Sequence, residues 1–307
     1  MNKRALRADI LLLITACIWG FAFVAQKAGM DYVGPYSFNG IRFILGSLSL
    51  LPLIIFNRNK KQKTQGESTT PPLTPKIFFG STLLAGTCLF IAASLQQTGI
   101  MTTTPGHSGF ITGLYVVLVP IIGIFLGRKT GIPTWIGAFL TLTGLFFLSA
   151  MGNEGAINQG DVITIISAFF WAFHVLVIDK LVQNIDPLIL SSGQFAWTGI
   201  FSIIVAVVLR ESVSREAVIA GIIPILYGGL CSVGIAYTLQ VVAQKDAPPA
   251  HATIILCLEG CVAAIGGVLI LHDPLGKWTL LGFVLMFAGM LVSQGEVIAG
   301  GFKKKNC

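Results

Sequence analysis

The chain has 307 residues, of which 54% are hydrophobic and only 11% charged, with a formal net charge of +7. Soluble domains average about 25% charged residues, so a mean hydropathy of +0.82 excludes an ordinary soluble domain and points to an all-α polytopic membrane protein surrounded by lipid. The positive charge does not indicate a nucleic-acid surface, because no aromatic residues alternate with the basic clusters at Lys60-Lys61 or Lys303-Lys304-Lys305.

The start imitates a signal peptide: Lys3, Arg4 and Arg7 precede an apolar run, and Ile14-Thr15-Ala16-Cys17 is similar to a lipoprotein cleavage site. The apolar stretch continues past Cys17, so an uncleaved first span over 8–29 is expected, with Trp19 near its middle. A second span covers 34–56 and carries Arg42 about a third of the way in, where snorkelling and substrate binding are both open. The segment 57–75, rich in Lys, Thr, Ser and Pro, reads as a flexible cytoplasmic loop. Spans follow at 76–99, 103–126, 132–150, 160–182, 187–209, 217–243, 249–271 and 277–298, which makes ten.

With the N-terminus inside, Arg58, Lys60, Arg128, Lys129, Lys180, Lys245 and Lys303 join Lys3, Arg4 and Arg7 on the cytoplasmic side, against Arg210, Arg215 and Lys277 outside. This bias places both termini in the cytoplasm. Of the six cysteines, five lie inside spans without a framework spacing, so disulfides are not implied. Cys257 and Cys261 are one turn apart, and small apolar packing accounts for them better than a soft-metal pair.

The chain reads as a duplication, with one copy in 1–150 and the second in 151–307, ending in a basic tail. Shifted by 152 residues, Asp9 meets Asp161, Trp19 meets Trp171, Pro35 meets Pro187 and Phe43 meets Phe195. Shifted by 144, Gln96 meets Gln240, Pro105 meets Pro249, His107 meets His251 and Tyr115 meets Glu259. Five spans per copy is an odd number, so the second copy enters the membrane inverted. Inverted repeats are the architecture of secondary transporters, whose sites lie near the midplane between the halves.

Glu259 is the strongest single signal. It sits mid-span in 249–271, roughly 15 Å from either end, where an ionised carboxylate costs about 2.5–3.5 kcal/mol. It should therefore face protein or a watery cavity, and the small neighbours Ala263 and Gly266 allow another helix close on that side. Tyr115 offers a hydroxyl at the matched place, or an aromatic wedge. Trp19 and Trp171 lie mid-span rather than at the interfaces, unlike Trp135 and Trp278, and are expected to line the cavity. Gln96 and Gln240 can bond across helices or hold a polar substrate, and His174 fits core or cavity. His107 and His251, each two residues after a Pro, suit a structural role more than proton coupling, which Glu259 also offers. Gly109-x-x-x-Gly113 and Gly123-x-x-x-Gly127 predict close helix packing.

Two stretches resemble the EamA family. Trp19-Gly20 with Phe23 is similar to the start of an EamA domain, and 256–293 resembles the segment that usually reads Leu-Glu-Pro, Ala-Ala, a Gly-rich stretch, Leu-Gly-Glu and a Gly-rich last helix. Gly260 stands where Pro is common, and His272-Asp273 replace Gly-Glu. The resemblance implies two EamA repeats of the drug/metabolite transporter superfamily, ten transmembrane helices, and movement of small metabolites across a bacterial inner membrane.

The expected function is a secondary transporter working by alternating access, moving a small metabolite with efflux favoured, with proton or cation coupling, as a monomer or a homodimer, without cofactor, metal or nucleic acid. An amino acid or other zwitterion would fit if Arg42 and Glu259 faced one cavity. The competing reading is an intramembrane enzyme acting on a lipid or peptide. Its only signal is Gly106-His107-Ser108-Gly109, which lacks the second Gly of a lipase elbow at Phe110. No phosphate-binding Gly loop with a lysine occurs, which argues against an ATPase.

Overall fold

The computed structural model describes residues 3–64, 74–102, 105–149, 158–266 and 276–303. Among the described residues every regular element is helical. In chain order these are α1 (Lys3–Gly29), α2 (Pro35–Thr64), α3 (Pro75–Gly99), α4 (Pro105–Thr112), α5 (Tyr115–Phe125), α6 (Ile132–Ser149), α7 (Gln159–Leu181) and α8 (Pro187–Val208). Then come α9 (Arg215–Ala220), α10 (Ile222–Leu226), a π-helical stretch (Tyr227–Tyr237), α11 (Thr238–Gln244), α12 (Pro249–Leu256), α13 (Glu259–Gly266) and α14 (Lys277–Lys303).

Seven of the described helical segments are long and apolar enough to cross a membrane, and three shorter apolar ones, Ile132–Phe147, Pro249–Ala263 and Leu280–Ser293, accompany them. The chain is thus a multi-pass membrane protein, all-helical among the described residues. Its outer surface is itself apolar, with Phe125, Ile132, Phe139, Val207, Val208 and Ile223 all more than two-thirds exposed, as befits contact with lipid rather than water.

The helix starts follow local chemistry. Pro occupies the first position of α2, α3, α4, α8 and α12, where its missing N–H costs nothing. Asn158 and Asp161 form a capping box on α7. The N-terminus of α2 is capped from a distance: the Glu211 carboxylate accepts from the backbone N–H of Tyr36 at 3.1 Å and of Ser37 at 2.7 Å.

Four expectations are corrected here. The polar loop was expected from residue 57, but α2 runs on to Thr64, because Asn57–Thr64 holds Lys, Arg and Gln and neither Gly nor Pro. The span 103–126 is divided at Gly113–Leu114, and 249–271 at Cys257–Leu258. The span 217–243 is divided into α9, α10, the π-helical stretch and α11. Hydropathy reports a continuous apolar run and carries no signal for such breaks. His272 and Asp273 lie outside the described residues.

The helices pack in a definite set of pairs. α2 lies against α8, and α6 against α14; α3 lies against α7 and α8; α1 lies against α13, α11 and the π-helical stretch, which also packs on α2. Glycines set the closest approaches. A Cβ added at Gly137 would stand 2.7 Å from the Gly289 carbonyl oxygen, and one at Gly289 would stand 2.6 Å from that of Gly137, which locks α6 onto α14. On the Glu259 side, a Cβ at Gly20 of α1 would meet Val262 at 2.6 Å and the Glu259 carbonyl at 2.8 Å. Hydroxyls bond between helices as well: Ser167 donates to the Ala92 carbonyl at 2.8 Å, and Thr198 to that of Gly86 at 3.1 Å.

Candidate functional site

A narrow cavity of about 30 Å³, or about 450 Å³ when its open mouth and the gaps between atoms are counted, is bounded by nine of the described helical segments. From α1 it takes Trp19, Ala22, Phe23 and Gln26, which follow one another down a single helix face. α3 contributes Gln96, α4 contributes Thr112 and α5 contributes Tyr115. Trp171 and Val175 of α7 form one wall, Ser232 and Tyr237 of the π-helical stretch another, and Gln240, Leu256 and Glu259 complete the lining.

Glu259 is 4% exposed and opens α13 directly after the break in the ninth span. Tyr115 opens α5 directly after the break in the fourth. The Tyr115 hydroxyl donates to Glu259 Oε1 at 3.5 Å, so the two matched positions meet across the cavity. Both breaks are tight turns rather than bare helix ends. Leu114, Val116 and Val117 donate to carbonyls three residues back, as do Leu258 and Gly260.

The aromatic wall centres on Tyr237. Its ring centroid lies 4.5 Å from Trp19 and 5.9 Å from Trp171, the latter nearly parallel at 17°. Phe43 and Phe195 support it from behind, each at 6.0 Å. Trp19 Nε1 donates to the Ser232 carbonyl at 3.3 Å, whereas Trp171 Nε1 has no partner among the described residues. Gln96 donates to Thr112 Oγ1 at 2.9 Å, and Gln240 to Gln244 Oε1 at 3.1 Å. The Oε1 atoms of Gln26 and Gln240 are buried without partners among the described residues.

Three residues singled out from the sequence stand elsewhere. Arg42 is 1% exposed and is not part of the lining. Its Nε donates to Asn39 Oδ1 at 2.9 Å, and its guanidinium lies over Phe43 at 5.0 Å and Phe38 at 5.5 Å. The zwitterion reading asked for Arg42 and Glu259 on one cavity; Arg42 lies off this lining, packed on Phe43, which in turn packs on Tyr237. His174 is fully buried behind Trp171 and pairs through Nε2 with Gln194 Oε1 at 2.9 Å. His251 lies at another level of α12, with Nε2 3.0 Å from Asp9 Oδ1 and Nδ1 2.9 Å from Ser293 Oγ, so it ties α12 to α1 and α14. The side chain of His107 is outside the described residues.

Sequence reasoning missed Tyr237, Gln26, Ser232 and Thr112. A signal existed for two of them. Gln26 lies seven residues after Trp19 and Tyr237 three before Gln240, each at helical spacing from a residue already singled out.

The enzyme reading finds little here. Ser108 Oγ is buried and has no hydrogen-bond partner among the described residues, so no described base activates it. Among the described residues no group of three His, Cys, Asp or Glu side chains could hold a metal ion.

The comparisons with known proteins agree with a membrane carrier. The model of the EamA-like transporter family matches residues 6–150 and again 158–294. An uncharacterized transporter of Archaeoglobus fulgidus is 28% identical over 94% of this chain and 87% of its own length. The uncharacterized inner membrane transporter YedA of Escherichia coli K12 is 24% identical over 92% and 89% respectively. A solved crystal structure superposes with a TM-score of 0.75 at 15% identity, covering 93% of this chain and 96% of the other, which supports the fold alone.

Proposed function

The chain belongs to the EamA-like transporter family of the drug/metabolite transporter superfamily, and from that membership we propose that it is a secondary transporter carrying a small metabolite by alternating access. The two copies, 1–150 and 151–307, form inverted five-helix halves of a ten-helix bundle in the cytoplasmic membrane, with both termini in the cytoplasm. Export is the favoured direction.

The packing supports an inverted pair. Contacts come in matched sets under the sequence registers: α3 on α8 mirrors the π-helical stretch on α2, and α5 on α7 mirrors α13 on α1. A rearrangement open to one half is then open to the other, which is the physical basis of exchanging an outward opening for an inward one.

One observation carries the proposal: a carboxylate, Glu259, is held at a helix break on a central cavity, opposite the Tyr115 hydroxyl. A carboxylate kept in so apolar a place is costly. Its use is to gain and lose a proton, a cation or a substrate amine as the cavity changes sides. Trp19, Tyr115 and Trp171 would line the path of the substrate, with Gln96 and Gln240 as polar contacts. Arg42, His174 and His251 serve by holding helices in place.

Flux into proteoliposomes tests this. Wild-type transport should change over roughly pH 5 to 8, the range into which a buried carboxylate can be tuned. Glu259→Gln should lose about tenfold or more of the flux, with little pH response left. Equal flux and an equal pH response in the variant would remove Glu259 from the mechanism.

A further inference from the structure

Resting on the transporter reading, we infer that the cavity takes organic monocations, with a charged nitrogen held against Glu259 and the Trp19–Tyr237–Trp171 wall and an apolar body in the remaining space. Among the described residues the lining holds one carboxylate and no Lys, Arg or His. Nothing there would balance an anionic substrate group.

Broken membrane helices commonly hold anions on free backbone N–H groups. Most of that device is taken up here, because the donors Leu114, Val116, Val117, Leu258 and Gly260 at the two breaks already bond within the turns. Arg42 could have served a carboxylate, but it lies off the lining, with Nε donating to Asn39 Oδ1 and its guanidinium over the faces of Phe38 and Phe43.

What does face the cavity suits positive charge. Two indoles and a phenol surround one space, with Tyr237 4.5 Å from Trp19 and 5.9 Å from Trp171. Aromatic faces attract an ammonium group strongly once water is excluded. The acceptors Gln26 Oε1 and Gln240 Oε1, unpartnered among the described residues, belong to the same lining and would accept from N–H groups of a bound cation.

Four probes with one phenylethyl body separate the charge classes: phenethylammonium, 2-phenylethanol, phenylalanine and 3-phenylpropionate. Calorimetric binding to the purified full chain should rank phenethylammonium first, by about tenfold over the alcohol. Glu259→Gln should remove that preference, bringing phenethylammonium to within about twofold of the alcohol. Trp19→Phe should keep most cation binding, and Trp19→Ala should lose about tenfold. Tighter binding of phenylalanine or phenylpropionate, no binding of any probe, or an unchanged ranking in Glu259→Gln would overturn the cation class. Glu259-dependent cation binding without any flux in proteoliposomes would keep the ligand class and sink the transporter reading instead.

Discussion

Set in the 144-residue register, α3 and the segment from Ile222 to Gln244 are counterparts, yet they are built differently. α3 is one α-helix from Pro75 to Gly99, and it gives the cavity only Gln96. The later segment widens into a π-helical stretch over Tyr227–Tyr237 and gives Ser232, Tyr237 and Gln240. Small residues permit this. A Cβ at Gly229 would meet Leu45 at 2.6 Å and one at Gly234 would meet Ser49 Oγ at 2.6 Å, so the widened helix still lies close on α2. Three side-chain bonds fasten it to α1: Thr15 donates to the Ala236 carbonyl, Trp19 to that of Ser232, and Tyr227 to that of Ile18. Departure from α-helical geometry is common at functional sites, and here it brings the central phenol of the cavity into place.

The comparison can be broken most severely at Tyr237. Tyr237→Ala removes ring contacts with Trp19, Trp171, Phe43 and Phe195, and should cost about 3–5 kcal/mol. The thermal midpoint in detergent should fall sharply and the tryptophan emission should shift. A midpoint unchanged from wild type would show that the wall does not depend on this ring.

A smaller loss is expected at the seat of the π-helical stretch. At Gly46 of α2 an added Cβ would fall 2.3 Å from Val233 Cγ1 and 3.1 Å from the Gly229 carbonyl oxygen. Gly46→Val should therefore destabilise by about 1–3 kcal/mol through overpacking. Measured alongside cation binding, it would reveal whether the seat also holds Tyr237 in position. The least effect belongs to α3, where Gly80 has nothing within 4 Å. Gly80→Ala should raise the midpoint slightly, by up to ~1 kcal/mol of helix propensity. A marked loss there would mean that the straight helix is as tightly constrained as its widened counterpart.

Much of the architecture was legible in the chain itself. Apolar runs of membrane-crossing length, Pro at the helix starts and the residue pairs at shifts of 152 and 144 are local or periodic features, and such features survive without knowledge of contacts. Glu259 was legible too, because a carboxylate in mid-span has few affordable environments, and the structure buries it on the cavity opposite Tyr115.

Tertiary structure alone decided the rest. The breaks at Gly113–Leu114 and Cys257–Leu258 and the π-helical stretch depend on what packs alongside, and hydropathy is blind to that. The same holds for Arg42, whose place beside Asn39 and Phe43 rather than on the cavity turns on helix rotation. A rotation of one residue, about 100° around an α-helix, moves a side chain from cavity to wall without altering composition or span.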